Sequence, residues 1–430
     1  IPGVIITQHS GDGKANQFFV RGANLDHGTD LAIRLAGVPM NLPTNAHGQG
    51  YLDLNGLIPE LVSRVQYRKG TAFADEGDFS AAGAVDIGYV HALERPLATL
   101  ELGGGGFQRG LFAGSWNVAG GDLLLAQEAM ATDGPWEVPE RLRRSNTVIR
   151  YSQGTESRRW SLTALAYDAR WTATDQIPRR AFEAGTLGWF GSLDPTNGGD
   201  TRRLSLAFAF HQEREGVRDR VEAHWSAYRL SLTSNFTGWL DHPEEGDQFR
   251  QAERRTYGGF HATRTWEAAV LGRPAEVTAG LQGRWDLIPS VGLWHTQERR
   301  RLHTVREDAV SQHSLSGYAQ LKVQWAEELR STLGLRHDRH RFAVRAGLPE
   351  NGGTASEALT SPKLAVVLGP WRDTELYLSA ARGFHSNDAR GTTLRVDPGT
   401  GEAAERVTPL VKATGYEVGV RSAASPRWRW

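Results

Sequence analysis

Arg203-Leu204-Ser205-Leu206-Ala207-Phe208-Ala209-Phe210-His211 is the stretch that decides the fold. Leu204, Leu206, Phe208 and Phe210 fall on one face of an extended chain, and Arg203, Ser205, Ala207, Ala209 and His211 fall on the other. Successive side chains of a β-strand point to opposite faces, so this spacing predicts a strand with one apolar and one polar face. The pattern returns from Ser314 to Trp325. There Leu315, Gly317, Ala319, Leu321, Val323 and Trp325 oppose Ser314, Ser316, Tyr318, Gln320, Lys322 and Gln324. It returns again from Glu276 to Trp285, and around Tyr416, Val418 and Val420 near the end.

Outward from these stretches, about fourteen such segments follow one another, each of about 9–13 residues, enough for a tilted strand to cross a bilayer. The first lies near residues 98–107 and the last near 411–422; two others lie near 275–285 and 312–325. Links after the even-numbered segments are short, as at Ala119–Asp122 and Ala326–Glu328. Links after most odd-numbered ones are long, as at Thr172–Asp200, Asp286–Ser311 and Phe384–Pro409. The first odd link, around Gln108 and Arg109, reads as tight. Loop length sorted by parity predicts an antiparallel membrane barrel with short turns on one side and long loops on the other. Trp160, Trp266, Trp325, Trp371 and Trp428 sit beside short turns, which predicts an aromatic ring at one membrane face. Lipid offers no partner to a bare backbone N–H or C=O, so spanning strands must pair side by side around a cylinder.

Composition narrows the function. The 430 residues carry 49 basic and 49 acidic side chains, so no basic excess points to nucleic acid. There is no cysteine, which excludes thiol catalysis and disulfides. No apolar run reaches the roughly 18 residues of a transmembrane helix. The chain has no Gly-x-Ser-x-Gly, His-Glu-x-x-His or P-loop pattern, and an enzyme is not expected. The composition changes near residue 96. Before it, short strand-like pieces are separated by Gly, Asn and Asp, which suits a small domain packed inside a polar lumen. The chain opens at Ile1-Pro2-Gly3 and stops at Trp428-Arg429-Trp430 in a strand-like stretch, so both ends read as cut.

Several motifs of residues 1–96 carry a resemblance. Ile1-Pro2-Gly3-Val4, Gln17-Phe18-Phe19-Val20-Arg21-Gly22, Ala36-Gly37-Val38-Pro39, Ile58 to Gly70 and Ala81-Ala82-Gly83-Ala84-Val85-Asp86-Ile87 resemble, in order, the plug domain of TonB-dependent outer-membrane receptors. Ala36 stands where the family usually has Asp, and Lys69 where it usually has Arg. Later, Ser361-Pro362-Lys363, Glu375 to Phe384, and Leu410 to Gly419 are similar to the family's barrel strands.

The resemblance implies an all-β, antiparallel membrane barrel of about 22 strands in the full family, with about fourteen here and a small N-terminal α+β plug in the lumen. Residues 1–96 would be the plug and 97–430 the barrel. An open curved wall with bare edge strands is the expected form. The implied activity is active import of a scarce solute across the outer membrane of a Gram-negative bacterium, driven by TonB and its inner-membrane complex. The segment TonB grips is expected to precede Ile1. A ferric siderophore or other metal chelate is the leading cargo; cobalamin, an oligosaccharide or a passive porin-like channel are the alternatives. Outer-membrane lipids are expected neighbours, nucleic acid is not, and no cofactor or protein-bound metal is expected.

By family geometry the ligand would meet plug regions around Asn24–His27, Asn45–Tyr51 and Phe73–Phe79. The candidate ligand residues are Asn45, His47, Gln49, Tyr51, Asp75, Glu76, Asp78 and Phe79, joined by His385, Asn387 and Asp388 of an outer loop. Polar groups beside an aromatic wall are the usual make-up of a solute site. Arg21, Arg34, Arg64 and Arg68 are expected to bind the plug to barrel carboxylates such as Glu276 and Glu417.

Overall fold

The computed structural model describes residues 1–48 and 50–423. Gln49 and Trp428, named above, lie outside the described residues. Seven short strands come first: β1 (Val4–Thr7), β2 (Gln17–Val20), β3 (Ala23–Asn24), β4 (Leu31–Leu35), β5 (Val38–Pro39), β6 (Val62–Lys69) and β7 (Gly83–Tyr89). They form a three-stranded sheet, β1-β2-β3, and a four-stranded one in the order β5-β4-β7-β6. In the second, β4 runs parallel to β7 while the other pairs are antiparallel.

The wall follows: β8 (Leu97–Leu102), β9 (Gln108–Val118), β10 (Gly121–Thr132), β11 (Leu142–Gly154), β12 (Arg158–Thr172), β13 (Gly198–Arg214), β14 (Val217–Ser234), β15 (Phe249–Val270), β16 (Arg273–Gln297), β17 (Arg300–Ala326), β18 (Leu329–Ala346), β19 (Gly353–Trp371), β20 (Thr374–Ser386) and β21 (Leu410–Ser422). These make one 14-stranded sheet in which each strand pairs with its sequence neighbours. The sheet is open: β8 and β21 are its edges and do not pair with each other among the described residues.

The faces of β13 are inverted relative to a water-soluble protein. Leu204, Leu206 and Phe208 are 44%, 42% and 38% exposed, whereas Arg203, Ser205 and Ala207 are 4%, 0% and 4% exposed. Leu281, Leu315, Tyr416 and Val418 likewise point outward and exposed. An apolar outer surface around a polar inner face is the arrangement of a membrane barrel. Trp266 and Trp371 are exposed near the ends of β15 and β19, beside short turns. No helix of the described chain is long and apolar enough to cross a membrane.

Two expected links differ. The long link foreseen at Asp286–Ser311 shrinks to Glu298 and Arg299, because β16 and β17 continue as a paired hairpin to Gln297 and Arg300. Beyond the bilayer both faces of a strand meet water, so the apolar alternation fades while backbone pairing persists. The first turn falls at Gly103–Phe107 rather than at Gln108 and Arg109, with Gly105 and Gly106 at φ 63° and 68°. Long links remain after β12, β14 and β20.

The seven-stranded part sits against the inner face of the wall, and its contacts are uneven. Its apolar core, including Phe18, Ile33, Leu35, Met40, Leu42 and Val85, is continuous with Leu111, Leu124, Tyr167, Tyr228, Leu232 and Tyr257 of β9–β15. Toward β16–β21 it is mainly hydrogen-bonded: Gln282 donates to the Asp75 carbonyl at 2.7 Å, Thr44 to Gln312 at 2.8 Å, and Ser386 to Asp78 at 2.6 Å. A smaller apolar contact surrounds Ala46, with Ile288, Val310 and Phe342.

Candidate ligand-binding site

Three excursions leave the small sheets, and Asn41 ties two of them to β4. Its amide nitrogen donates to the carbonyls of Gly28 and Leu31 at 2.9 Å each, and its oxygen accepts from Ile33 N at 2.9 Å. Asn41 is buried, so these bonds replace those that water would make. The excursion after it is shaped by Asn45. Its side-chain oxygen accepts from His47 N and Gly48 N at 2.9 and 2.8 Å, and its nitrogen donates to the Leu42 carbonyl at 2.9 Å. Asn45 is fully buried and its amide is engaged within its own loop.

His47 reaches toward the turn at Asp26 and His27. Its ring packs edge-on against His27 with centroids 4.6 Å apart, and both rings lie against buried Tyr51. His9 stacks on His27 from the other side at 5.2 Å. Burial first, and the nearby Lys14 cation second, lower the His27 imidazole to about 4, so it is neutral near pH 7. Burial likewise holds His47 well below the ordinary histidine value. This cluster lies on the long-link side: Asp12 N donates to Glu140, and Lys14 stands over the Phe236 ring at 5.9 Å.

The third excursion, between β6 and β7, carries Asp75, Glu76, Asp78 and Phe79. Arg34 grips Glu76 through two bonds of 2.9 and 2.7 Å, and Arg68 bonds Asp75 at 2.6 Å. Burial alone would raise the Glu76 carboxyl; the Arg34 and Arg68 guanidiniums override it and hold the group at about 2. The expected role of the arginines is therefore revised. Arg34 and Arg68 pair within the plug, because β4, β6 and the loop bring their guanidiniums to buried Glu76 and half-buried Asp75, nearer than any carboxylate on the wall. Arg64 is exposed and makes no ion pair among the described residues. Arg21 meets Glu417 of β21, while Glu276 pairs with Arg218 and Lys322 of neighbouring wall strands. A cavity of about 150 Å³ lies between this excursion and the wall, lined by Arg34, Glu76, Phe79, His261, Arg284 and Arg336 among others.

Residues 385–388 close over the same excursion. His385 Nδ1 lies 2.7 Å from Asp30 Oδ1, and its ring stacks on Phe79 at 6.1 Å. Asp78 accepts from Ser386 N at 2.7 Å. Asn387 donates to the Thr408 carbonyl at 2.8 Å. Asp388 caps a short helix at Ala389–Thr392, accepting from Arg390 N at 2.9 Å, and its carboxylate also holds the Arg390 side chain at 2.7 Å. Arg390 in turn donates to the Asn45 carbonyl at 2.6 Å. The structure thus brings Asp78, Phe79 and His385 into one contact group, with Asp388 joined to Asn45 through Arg390. It sets His47 and Tyr51 in a separate histidine cluster.

Residues that the sequence reading did not single out complete these contacts. His9 belongs to the histidine cluster. Arg255 and Glu253 of β15 with Asp286 of β16 form a buried charged group beneath Thr44 and Ala46. No local spacing announces either arrangement, since each joins residues distant in sequence.

Residues 1–84 match the TonB-dependent Receptor Plug Domain, and residues 136–430 match the family described as TonB dependent receptor-like, beta-barrel. Among solved structures, the ferric citrate transporter FecA in its unliganded form is similar at a TM-score of 0.78 and 15% identity, over 98% of this chain and 64% of that one. The copper transporter OprC is similar at 0.73 and 15% identity, over 98% and 65%. The pyoverdine outer membrane receptor FpvA from Pseudomonas aeruginosa PAO1 is similar at 0.74 and 12% identity, over 98% and 63%. The chain therefore spans less than two thirds of the length of each, and at these identities the likeness shows the fold alone. A 14-stranded antiparallel wall, an inverted pattern of exposure and a two-sheet plug, matched by family over most of its length, place this chain in the TonB-dependent receptor family.

Proposed function

We propose that the whole protein is an active importer in the outer membrane of a Gram-negative bacterium, energised by TonB, with a ferric siderophore or other metal chelate as cargo. Residues 1–96 act as the plug and 97–430 as the wall. The observation that carries this reading is a polar-faced barrel wall occupied by a hydrogen-bonded plug whose His47 and Asp78 meet the wall near the long links. A passive pore has no use for such a plug. A metal-containing cargo is put first because proteins of this fold include a ferric citrate transporter and a copper transporter.

The test uses the intact gene in cells starved of iron, with and without a working TonB. Growth and radio-iron uptake from a panel of ferric chelates should depend on both. Uptake that persists without TonB sinks active import. Absence of any iron response turns the reading toward cobalamin or an oligosaccharide. High steady conductance of the complete protein in a planar bilayer would mark an open channel.

A further inference from the structure

We propose that His9, Asp26 and His27 form a binding site for a late first-row divalent transition ion at the long-link end of the plug. Each residue offers one donor atom, and the three atoms lie within 4.8 Å of one another. Asp26 Oδ1 is 3.7 Å from His27 Nε2. Around an ion with bonds of about 2.0–2.1 Å, tetrahedral donors sit about 3.3 Å apart. Closing the gap takes side-chain rotation of an ångström or so. The exposed Asp26 and half-buried His9 have room for it.

The tautomer favours a metal. His27 Nδ1 lies 3.0 Å from the Asn16 carbonyl, which can only accept, so Nδ1 carries the proton. Nε2 then presents a lone pair, as a ligating histidine does when its other nitrogen donates to a backbone carbonyl. That Nε2 is buried and has no hydrogen-bond partner among the described residues, and the same is true of His9 Nε2. Ring stacking accounts for how these imidazoles pack. It does not account for two buried nitrogens left bare beside a carboxylate.

The turn holds the donors in place. Phe18 N donates to the Asp26 carbonyl at 2.8 Å, and Gly28 N and Thr29 N both donate to the Leu25 carbonyl at 2.9 Å. Lys14 opposes a cation here, and Asp26 and Asp175 counter it. Two imidazoles and one carboxylate suit zinc, nickel or copper; calcium and magnesium prefer oxygen alone. Three protein donors leave one position open to water or to a donor from an incoming ligand. An ion held here would offer its open position to an incoming ligand only if the importer reading holds; ion binding itself does not depend on that reading.

The full-length protein, purified in detergent and stripped with chelator, is titrated with Zn²⁺ by calorimetry and with Co²⁺ by visible absorption. One ion per chain is expected, with the strong bands of four-coordinate cobalt. His9→Ala, Asp26→Asn and His27→Ala should each weaken Zn²⁺ roughly tenfold or more. His337→Ala, on the exposed outer wall, should leave it unchanged. Should His27→Ala disturb the plug, the more exposed His9 and Asp26 variants decide. Less than one equivalent bound, or affinity unchanged in both, overturns the site. Ferric-chelate uptake is measured alongside. In the unmutated protein, zinc binding without TonB-dependent uptake counts against the importer and leaves the site standing, and uptake without zinc binding counts against the site and leaves the importer standing.

Discussion

Replacing Arg255 by Met should loosen the excursion that carries Asn45. Arg255 and Glu253 have fully buried side chains, and Asp286 is nearly so. The guanidinium donates to both Glu253 oxygens at 3.0 and 2.8 Å, to Asp286 at 3.1 Å, and to the Thr44 carbonyl of the plug. Glu253 in turn accepts from Ala46 N at 3.0 Å. Methionine fills similar length but leaves Glu253 without its counter-ion. Breaking a buried pair by removing one partner costs about 3–5 kcal/mol. Asp286 keeps two bonds from Arg284, which places the expected value at the lower end, about 3 kcal/mol. Since each 1.4 kcal/mol is tenfold, exchange of the Ala46 amide with deuterium should quicken by roughly a hundredfold. Adding Glu253→Gln to the Met variant removes the stranded charge and should recover most of the protection. An acceleration below about threefold would refute the reasoning, because the charged group would then not be what holds this loop to the wall.

Leu206→Arg places a charge on the outer face and should cost about 2–4 kcal/mol in a bilayer refolding equilibrium if Leu206 lies near the midplane. A cost near zero would mean that β13 does not face lipid. Glu140 gives a pH dependence. Burial first, and Asp12 second, raise its carboxyl to about 7, so between about 4.5 and 7 the folded state keeps a proton that the unfolded state has released. This contribution is fully present below about pH 4.5 and is lost as pH rises through 7. It amounts to at most about 3 kcal/mol. Glu140→Gln should flatten the urea midpoint across that window, and an unchanged slope would refute it.

The wall was legible wherever one face of a strand meets lipid and the other meets the lumen. Leu204, Leu206 and Phe208 declare β13 because the period of two survives there. It was not legible past Asp286, where Arg300 and Arg301 read as loop although they pair with Gln297 and Thr296. Partner choice was less legible still. Arg34 could be named as an arginine in need of an acid, but Glu76 becomes its partner only when a loop 42 residues on folds back over β4. The resemblance named Asn24–His27 only as a region facing ligand; His9, which stacks on His27, sits in a stretch with no pattern of its own.

The uneven seating of the plug has a mechanical consequence. Oil-like contact along β9–β15 resists separation over its whole area, about 25 cal/mol for each Å² exposed. Hydrogen bonds along β16–β21 can be traded for water one at a time at about 1 kcal/mol net each. Under a force on the stopper, the seam along β16–β21 is therefore expected to part before the greasy one along β9–β15.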